Sequence, residues 1–413
     1  MIQAEQTLSL RTLKRVALAV GPGLVVMLAD TDAGSVITVS QSGAQWGYRL
    51  LLLQFMIIPL LFVVQELTVR LALATGKGYG ELILQRLGRP LALVAMGTLG
   101  VSCFGALVTE FSGMAGVGQL FGVPVDVMVT AVGGLVFLMV LTGSYHSVER
   151  VAIVLGAFEL AFLVVAWHAK PDWRLLADGL RHLPLSSPGY LYLLAANLGT
   201  SIMPWTVFYQ QSALIDKGVS LAELRTARMD TLVGAVLCQV VTAAVLIAAA
   251  AAFGHRGGVT LDSVPQIADA FTPVLGAGVG EVVFAMALSG GALVATIVVS
   301  LSAAWAMGEI TGVRHSLADH PRDAPWFYLV FGALLVAAGA WVASGINLVR
   351  LSIAIGVVNA LLLPVVLGFL YWLARRELPE PYRLKGTYAR IVGGMFLAVA
   401  ALGLYAGIAG SLA

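Results

Sequence analysis

LADTDAGSV, residues 28–36, lies inside a run that is otherwise apolar enough to be a membrane span. It puts Asp30 and Asp32 two residues apart where water is scarce. A carboxylate at mid-bilayer costs roughly 2.5–3.5 kcal/mol on insertion scales, so two neighbouring ones require compensation, and a divalent cation supplies it. Gly34 permits backbone angles that helices avoid. The stretch therefore reads as a break in the first membrane helix, with Asp32 as the principal charge of a cation site. A second interruption stands at GTSIMPW, residues 199–205. Pro204 removes a backbone donor and disfavours helical geometry at Met203. Alone, such a proline reads as a kink. Paired with the acids of the first break it reads as a second unwound segment, whose freed carbonyls need a cation, water or a donor.

The rest of the chain supports a membrane context. Its 413 residues are 59% hydrophobic and 11% charged, against about 25% charged in soluble domains. Apolar runs recur that are long enough to cross a hydrocarbon core of about 30 Å. They are continuous instead of alternating, which excludes a β-barrel. The expected fold is an all-α integral membrane protein without a soluble domain, low-complexity tract or long linker. Cys103 and Cys238 both fall in apolar spans and read as packing residues. The polar start MIQAEQTLSLRTLKR leads into an apolar run with no clear cleavage site, so it reads as a first span and not a signal peptide.

Eleven transmembrane helices are expected, near 15–43, 49–74, 90–119, 124–143, 148–168, 188–215, 225–253, 277–307, 325–343, 347–374 and 388–410. With the N-terminus inside, 18 of the 24 Lys and Arg fall in cytoplasmic segments. The positive-inside rule then places the N-terminus in the cytoplasm and the C-terminus outside. The two broken helices, spans 1 and 6, are five apart. That spacing predicts an inverted 5+5 repeat, and discontinuous helices in corresponding positions point to a transporter's central site. The organisation is then a cytoplasmic segment (1–14), a first repeat (15–168), a second repeat (188–374) and an additional helix (388–410).

Other polar residues in the spans have quieter readings. Glu66 and Arg70, four apart, read as a local ion pair. Glu110 stays open between a packing residue and part of a polar pathway, while Glu159 reads as packing. Asn197 and Asn359 read as helix-to-helix hydrogen bonders. Gln210 and Gln211 follow the second break and would line a vestibule. All six histidines, residues 146, 168, 182, 255, 315 and 320, fall in loops or at span ends. A histidine proton relay or a histidine-ligated transition metal inside the membrane is therefore not expected. No phosphate-binding loop, nucleotide fingerprint or catalytic triad spacing is present, so neither an enzyme nor an ATP-driven pump is expected.

GPGLVVMLADTDAGS, SQSGAQWGYRLL and VVQELTVRLALATGKGYGELI resemble the first two spans of the Nramp family of divalent metal transporters, and GSYHSVERV and the second break extend the similarity. The likeness thins after span 6. It implies the LeuT-like inverted-repeat fold shared with many amino-acid and neurotransmitter symporters. Position by position, it implies that Asp32 is the metal-binding aspartate, that Ser35 stands for the family's asparagine, that Thr200 offers a backbone carbonyl, and that Met203 is the thioether ligand. The chain departs from the family at several positions. Ala33 replaces proline, Asp30 adds a charge, and Trp205 replaces the histidine after the span 6 proline. Leu107 stands where span 3 has an aspartate before Glu110, and Gly356 stands where span 10 has a glutamine. DTDAGS together with MPW resembles the Nramp-related magnesium transporter branch.

The resemblance ties the missing histidine and aspartate to proton movement, so transport without obligatory proton coupling is expected. An oxygen-rich, roomier site suits Mg²⁺, which keeps several waters. Met203 dissents, since a thioether prefers softer metals, and Mn²⁺ should compete. The expected function is uptake of Mg²⁺ (and Mn²⁺) by alternating access in a cell membrane. Metal contacts would come from Asp32, Ser35, Thr200 and Met203, and Asp30, Glu110, Trp205 and Gln210 would stand behind them or along the pathway. The metal is substrate, no cofactor is expected, and the partners are the ion and the bilayer, not nucleic acid; oligomeric state is not inferable. The alternatives are a proton-coupled Mn²⁺/Fe²⁺ symporter, an amino-acid symporter of the same fold, and a metal-sensing receptor, the last disfavoured by the lack of an output domain.

Overall fold

The computed structural model describes residues 21–142, 145–253, 258–345 and 347–412. The expected segment 1–14 and the start of the first expected span lie outside them. Among the described residues every regular element is helical: α1 (Pro22–Asp30), α2 (Ala33–Trp46), α3 (Leu51–Thr75), α4 (Tyr79–Leu87), α5 (Arg89–Leu120), α6 (Val125–Thr142), α7 (Tyr145–Gly156), α8 (Ala161–His168), α9 (Trp173–Arg181), α10 (Pro188–Ser201), α11 (Pro204–Asp216), α12 (Leu224–Phe253), α13 (Val264–Ala268), α14 (Thr272–Leu275), α15 (Ala277–Thr311), α16 (Pro325–Ala343), α17 (Leu348–Arg376) and α18 (Gly386–Ser411). Among the described residues nine helical stretches are long and apolar enough to cross a membrane; 33–75 holds α2 and α3 together, 188–216 holds α10 and α11, and α1 and α6 are shorter.

The two interruptions have local causes. After α1, Thr31 leaves helical geometry at φ −85°, ψ 47°. Asp32 is extended and caps α2, its Oδ1 accepting from the Ser35 amide at 2.6 Å, which satisfies one of the donors a helix start leaves free. After α10, Ile202 leaves helical geometry, Met203 is extended, and Pro204 opens α11 at a position where its missing N–H costs nothing. A third irregularity was not expected: the span read as 148–168 is divided by a 3-10 segment, Ala157–Leu160, between α7 and α8. The amphipathic α4 and α9 and the short α13 and α14 also lie in stretches read as connections.

The broken helices sit at the centre. In the stretch 188–216, 94% of the most apolar window is buried. α1 packs on α12, α15, α7 and α11; α2 packs on α12, α10, α17 and α5; α10 packs on α17 and α18. Glycine permits the tightest of these crossings. A methyl group at Gly199 would collide with the Gly356 carbonyl oxygen. The periphery is apolar and uncovered, with Leu397, Val336 and Ile391 each more than three-fifths exposed. Such a surface is costly in water and ordinary against lipid tails.

Candidate functional site

The breaks meet through Ser35. Its Oγ lies 2.8 Å from the carbonyl oxygen of Asp30, at the end of α1, and 3.1 Å from the carbonyl oxygen of Thr200, at the end of α10. Asp32 stands one step away, its Oδ1 on the Ser35 amide. Carboxylate, hydroxyl and two unwound carbonyls thus come from both broken helices to one point. Asp32, Ser35, Thr200 and Met203 are only 1–4% exposed, so the group is closed toward both ends of the molecule. Among the described residues no three His, Cys, Asp or Glu side chains converge as a ready-made metal cage. Any ion held here would add backbone oxygens and retained water to the Asp32 carboxylate and the Ser35 hydroxyl.

Glu110 belongs to this group. Its Oε2 accepts from the Ala33 amide at 3.1 Å and its Oε1 from the Thr109 hydroxyl at 3.1 Å, and its carboxyl faces that of Asp32 within hydrogen-bonding reach. Span 3 therefore caps α2 and brings a second acid to the Asp32 side of the break. Leu107 is fully buried and offers no polar group.

Met203 and Trp205 meet each other. The indole Nε1–H donates to Met203 Sδ at 3.2 Å, and Trp205 is fully buried. One face of the sulfur is thus already engaged. The residue in the family's histidine position presents a donor and no base. Gly356, in the family's span 10 glutamine position, leaves no room for a side chain: a methyl there would come within 2.9 Å of the Ala196 carbonyl oxygen and of Thr200 Cγ2. Close packing of α17 on α10 occupies that place.

Several readings need correction. Gln210 and Gln211 do not line an open vestibule; both are buried, Gln210 donating to Thr231 Oγ1 at 2.8 Å and Gln211 to the Lys77 carbonyl at 2.7 Å. Asn197 bridges helices, donating to Ser42 Oγ and accepting from Gln54, each at 2.8 Å. Asn359 does not, since neither its amide oxygen nor its nitrogen has a partner among the described residues. Glu159 is buried, as a packing residue should be, and among the described residues its carboxyl oxygens have no close hydrogen-bond partner. Glu66 pairs with Arg70 at 2.6 Å and also with Arg228 of α12 at 2.8 Å, a long-range contact that no local spacing reveals.

One contributor escaped the sequence reading. Asp230, in α12, accepts through Oδ2 from the amides of Gly21, Gly23 and Leu24, at 3.1, 2.8 and 3.2 Å. It holds the start of α1. Beside it, Lys217 pairs with Glu149 at 2.6 Å over Gly21, where any Cβ would collide with Glu149 Oε1. A lone acid one turn into a helix at its charged end gives no sign of such a partner.

The Nramp family profile, described as natural resistance-associated macrophage protein-like, matches residues 23–409. The divalent metal cation transporter MntH 1 of Pseudomonas aeruginosa is 31% identical over 299 residues, 67% of this chain and 66% of that protein. The MntH proteins of Brucella suis and Agrobacterium fabrum are 29% and 26% identical, with 67% and 63% of their lengths covered. The matches thus span about two thirds of these relatives. Among solved structures, a manganese transporter of Eremococcus coleocola superposes with a TM-score of 0.73 at 20% identity, over 95% of this chain and 85% of that one. A Na⁺-coupled sialic acid symporter gives 0.62 at 13% identity, over 95% and 89%. At these identities the likeness shows the fold, the LeuT-like all-helical one.

Proposed function

The chain belongs to the Nramp family, and from that membership we propose that it carries a divalent metal ion across a membrane, binding it where the two broken helices meet. The observation that carries this reading is the Ser35 hydroxyl spanning the Asp30 and Thr200 carbonyls beside Asp32. Asp32 supplies the charge, Ser35 and the Thr200 carbonyl supply hard oxygen, and Met203 supplies a thioether at the rim. Relatives of this chain are named as divalent metal cation transporters, and a neighbour in fold is named a manganese transporter.

Mg²⁺ is the preferred ion in this reading and Mn²⁺ its competitor. Hard oxygen donors and retained water suit Mg²⁺. The Trp205 N–H on the Met203 sulfur weakens the one soft contact. Transport proceeds without an obligatory proton, because Trp205 and Leu107 occupy the positions that the family resemblance ties to proton movement. The membrane potential suffices: two charges in 100 mV are worth about 4.6 kcal/mol, from roughly 2.3 per charge. The ion enters from the outside, with the N-terminus and most Lys and Arg in the cytoplasm. Relative movement of the helices around the two breaks opens the closed site to one side and then the other.

The second reading is proton-coupled Mn²⁺ symport. The relatives' names favour the metal, and Glu110 beside Asp32 offers a proton carrier. An amino-acid substrate fits poorly, since Asp30 and Asp32 would repel its carboxylate. Purified protein in liposomes loaded with Mg²⁺-sensitive and pH-sensitive dyes tests the choice. Mg²⁺ entry under an inside-negative potential, with no metal-dependent acidification, is expected. Mn²⁺ entry accompanied by acidification, with Mg²⁺ inert, would overturn the magnesium reading in favour of the second.

A further inference from the structure

With the N-terminus in the cytoplasm, six Lys and Arg fall on the outer side, and four of them, Arg49, Lys170, Arg174 and Arg181, gather at α9. This helix begins five residues after α8, the end of a membrane span. Between the two the chain turns at Lys170, whose φ of 48° is left-handed, a conformation uncommon for a residue with a side chain. Leu176 and Leu180 of α9 pack on the apolar core, and Gly179 lies flush on the 3-10 turn Gly47–Leu50. A methyl at Gly179 would come within 3.1 Å of Tyr48 Cβ and 3.3 Å of the Arg49 nitrogen. That turn joins α2 to α3. So α9 lies across the ends of the spans, at the level where lipid headgroups begin.

The other edge of α9 is uncovered. Trp173, Arg174, Ala177 and Arg181 follow helical spacings of three and four, which sets them side by side. All four are exposed, Trp173 by 73%, and Trp167, just before the turn, is exposed by 84%. Indole rings with basic groups beside them are the composition of the boundary between bilayer and water. There the ring lies against apolar chains while its N–H stays wet. The acids of the stretch leave the basic groups free. Asp172 caps α9 through the amides of Arg174 and Leu175, and Asp178 pairs with His182 at 2.8 Å. Among the described residues no carboxylate pairs with Lys170, Arg174 or Arg181.

We propose that α9 is a membrane-surface helix that docks on anionic phospholipid headgroups, with Lys170, Arg174 and Arg181 on the phosphates and Trp167 and Trp173 at the edge of the acyl chains. Charge complementarity selects the anionic lipid, since each basic residue near such a surface strengthens the attraction about 5-fold. Docking reaches the metal site through the turn beneath α9. Trp46, the last residue of α2, meets Tyr190 of α10 edge-on, with ring centroids 5.5 Å apart, and the Tyr190 hydroxyl donates to the Arg49 carbonyl at 3.0 Å. The outer ends of both broken helices therefore meet at the turn that α9 covers. A lipid that holds α9 acts on the elements that must move for the site to open.

The test uses the full-length protein in lipid nanodiscs, with a nitroxide on Ala177→Cys; Cys103 and Cys238 are buried and escape the label. Collision of the label with oxygen, which concentrates in the bilayer, and with a water-soluble nickel chelate reports its depth. In phosphatidylcholine containing phosphatidylglycerol, oxygen should dominate. In phosphatidylcholine alone, the label should shift toward the nickel chelate. Arg174→Gln should need about 5-fold more phosphatidylglycerol for the same depth. The triple variant Lys170→Gln, Arg174→Gln and Arg181→Gln should lose the dependence, and because all three side chains are exposed the fold should survive. A label that meets the nickel chelate equally in both lipids overturns the proposal, and so does a phosphatidylglycerol response that survives the triple variant. The coupling to the metal site rests on the transport reading and is measured apart. Metal uptake into vesicles should respond to phosphatidylglycerol in the wild type and not in the triple variant. Uptake indifferent to lipid in an active protein would overturn the coupling, whereas a protein that carries no metal would sink the transport reading and leave the depth result standing.

Discussion

Asp32 does two jobs at once, and a substitution can separate them. It caps α2 through the Ser35 amide, and it brings a charge to the point where the breaks meet. Asparagine caps about as well as aspartate, whereas alanine loses about 0.5–2 kcal/mol of helix stability. Asp32→Asn should therefore leave the melting temperature near that of the wild type while metal uptake falls roughly 10–100-fold, the scale of one lost charge-assisted contact. Uptake at the wild-type rate in a folded Asp32→Asn protein would remove Asp32 from the site. Trp205→Phe tests the neighbouring contact. It keeps the buried ring and deletes the N–H on Met203 Sδ, so Mn²⁺ should gain on Mg²⁺ by roughly 2–10-fold in competition binding, the worth of one hydrogen bond. Asp32 was legible in the sequence because a carboxylate inside an apolar run demands an explanation. The Met203–Trp205 contact was not. Residues two apart do not face each other on a helix, and only the extended backbone of Met203, φ −96° and ψ 143°, turns the sulfur toward the indole.

Among the elements, α1 is the one most clearly held by something other than its own packing. Its first amides converge on Asp230 Oδ2, and an acid at a helix start also meets the positive end of the helix dipole. The Lys217–Glu149 pair closes over Gly21. Together they form a latch at the end of the molecule that carries most of the Lys and Arg. Asp230→Ala should release α1 and open a path toward the site from that end. The readout is thiol labelling of Val26→Cys, a fully buried position, in a background where Cys103 and Cys238 are serine. Labelling from the basic side should quicken in the Asp230→Ala protein and stay unchanged in an Asp230→Asn control that keeps an acceptor. Equal labelling rates in all three would show that the latch does not shut this end. The break itself was readable from Asp30, Asp32 and Gly34. The latch was not, because it joins residues more than two hundred apart, and charge spacing reports only neighbours. The same limit hid the Arg228 contact to Glu66, whose local partner Arg70 was evident.

At the scale of the whole molecule, the closed site and the charge distribution make a prediction about energy. Both broken helices are buried and the site residues are 1–4% exposed, so an ion bound there is cut off from both sides and must be passed by a change of conformation. Composition and the run lengths were enough to announce an all-helical membrane protein, and two interruptions five spans apart announced its centre. The number of separate helices was less evident, since α4 and α9 are short and amphipathic in stretches that read as connections, and the division between α7 and α8 carries no break in apolar composition. What drives transport is also beyond composition, but it has an electrical signature. If two charges cross per ion and nothing else moves, the potential at which net flux stops shifts by about 30 mV for each tenfold change in metal gradient, the two-charge Nernst slope. It is then indifferent to a pH gradient. Flux in liposomes clamped with K⁺ and valinomycin measures this directly. A null potential that follows pH would mean a proton moves with the metal, with Glu110 the residue to test first.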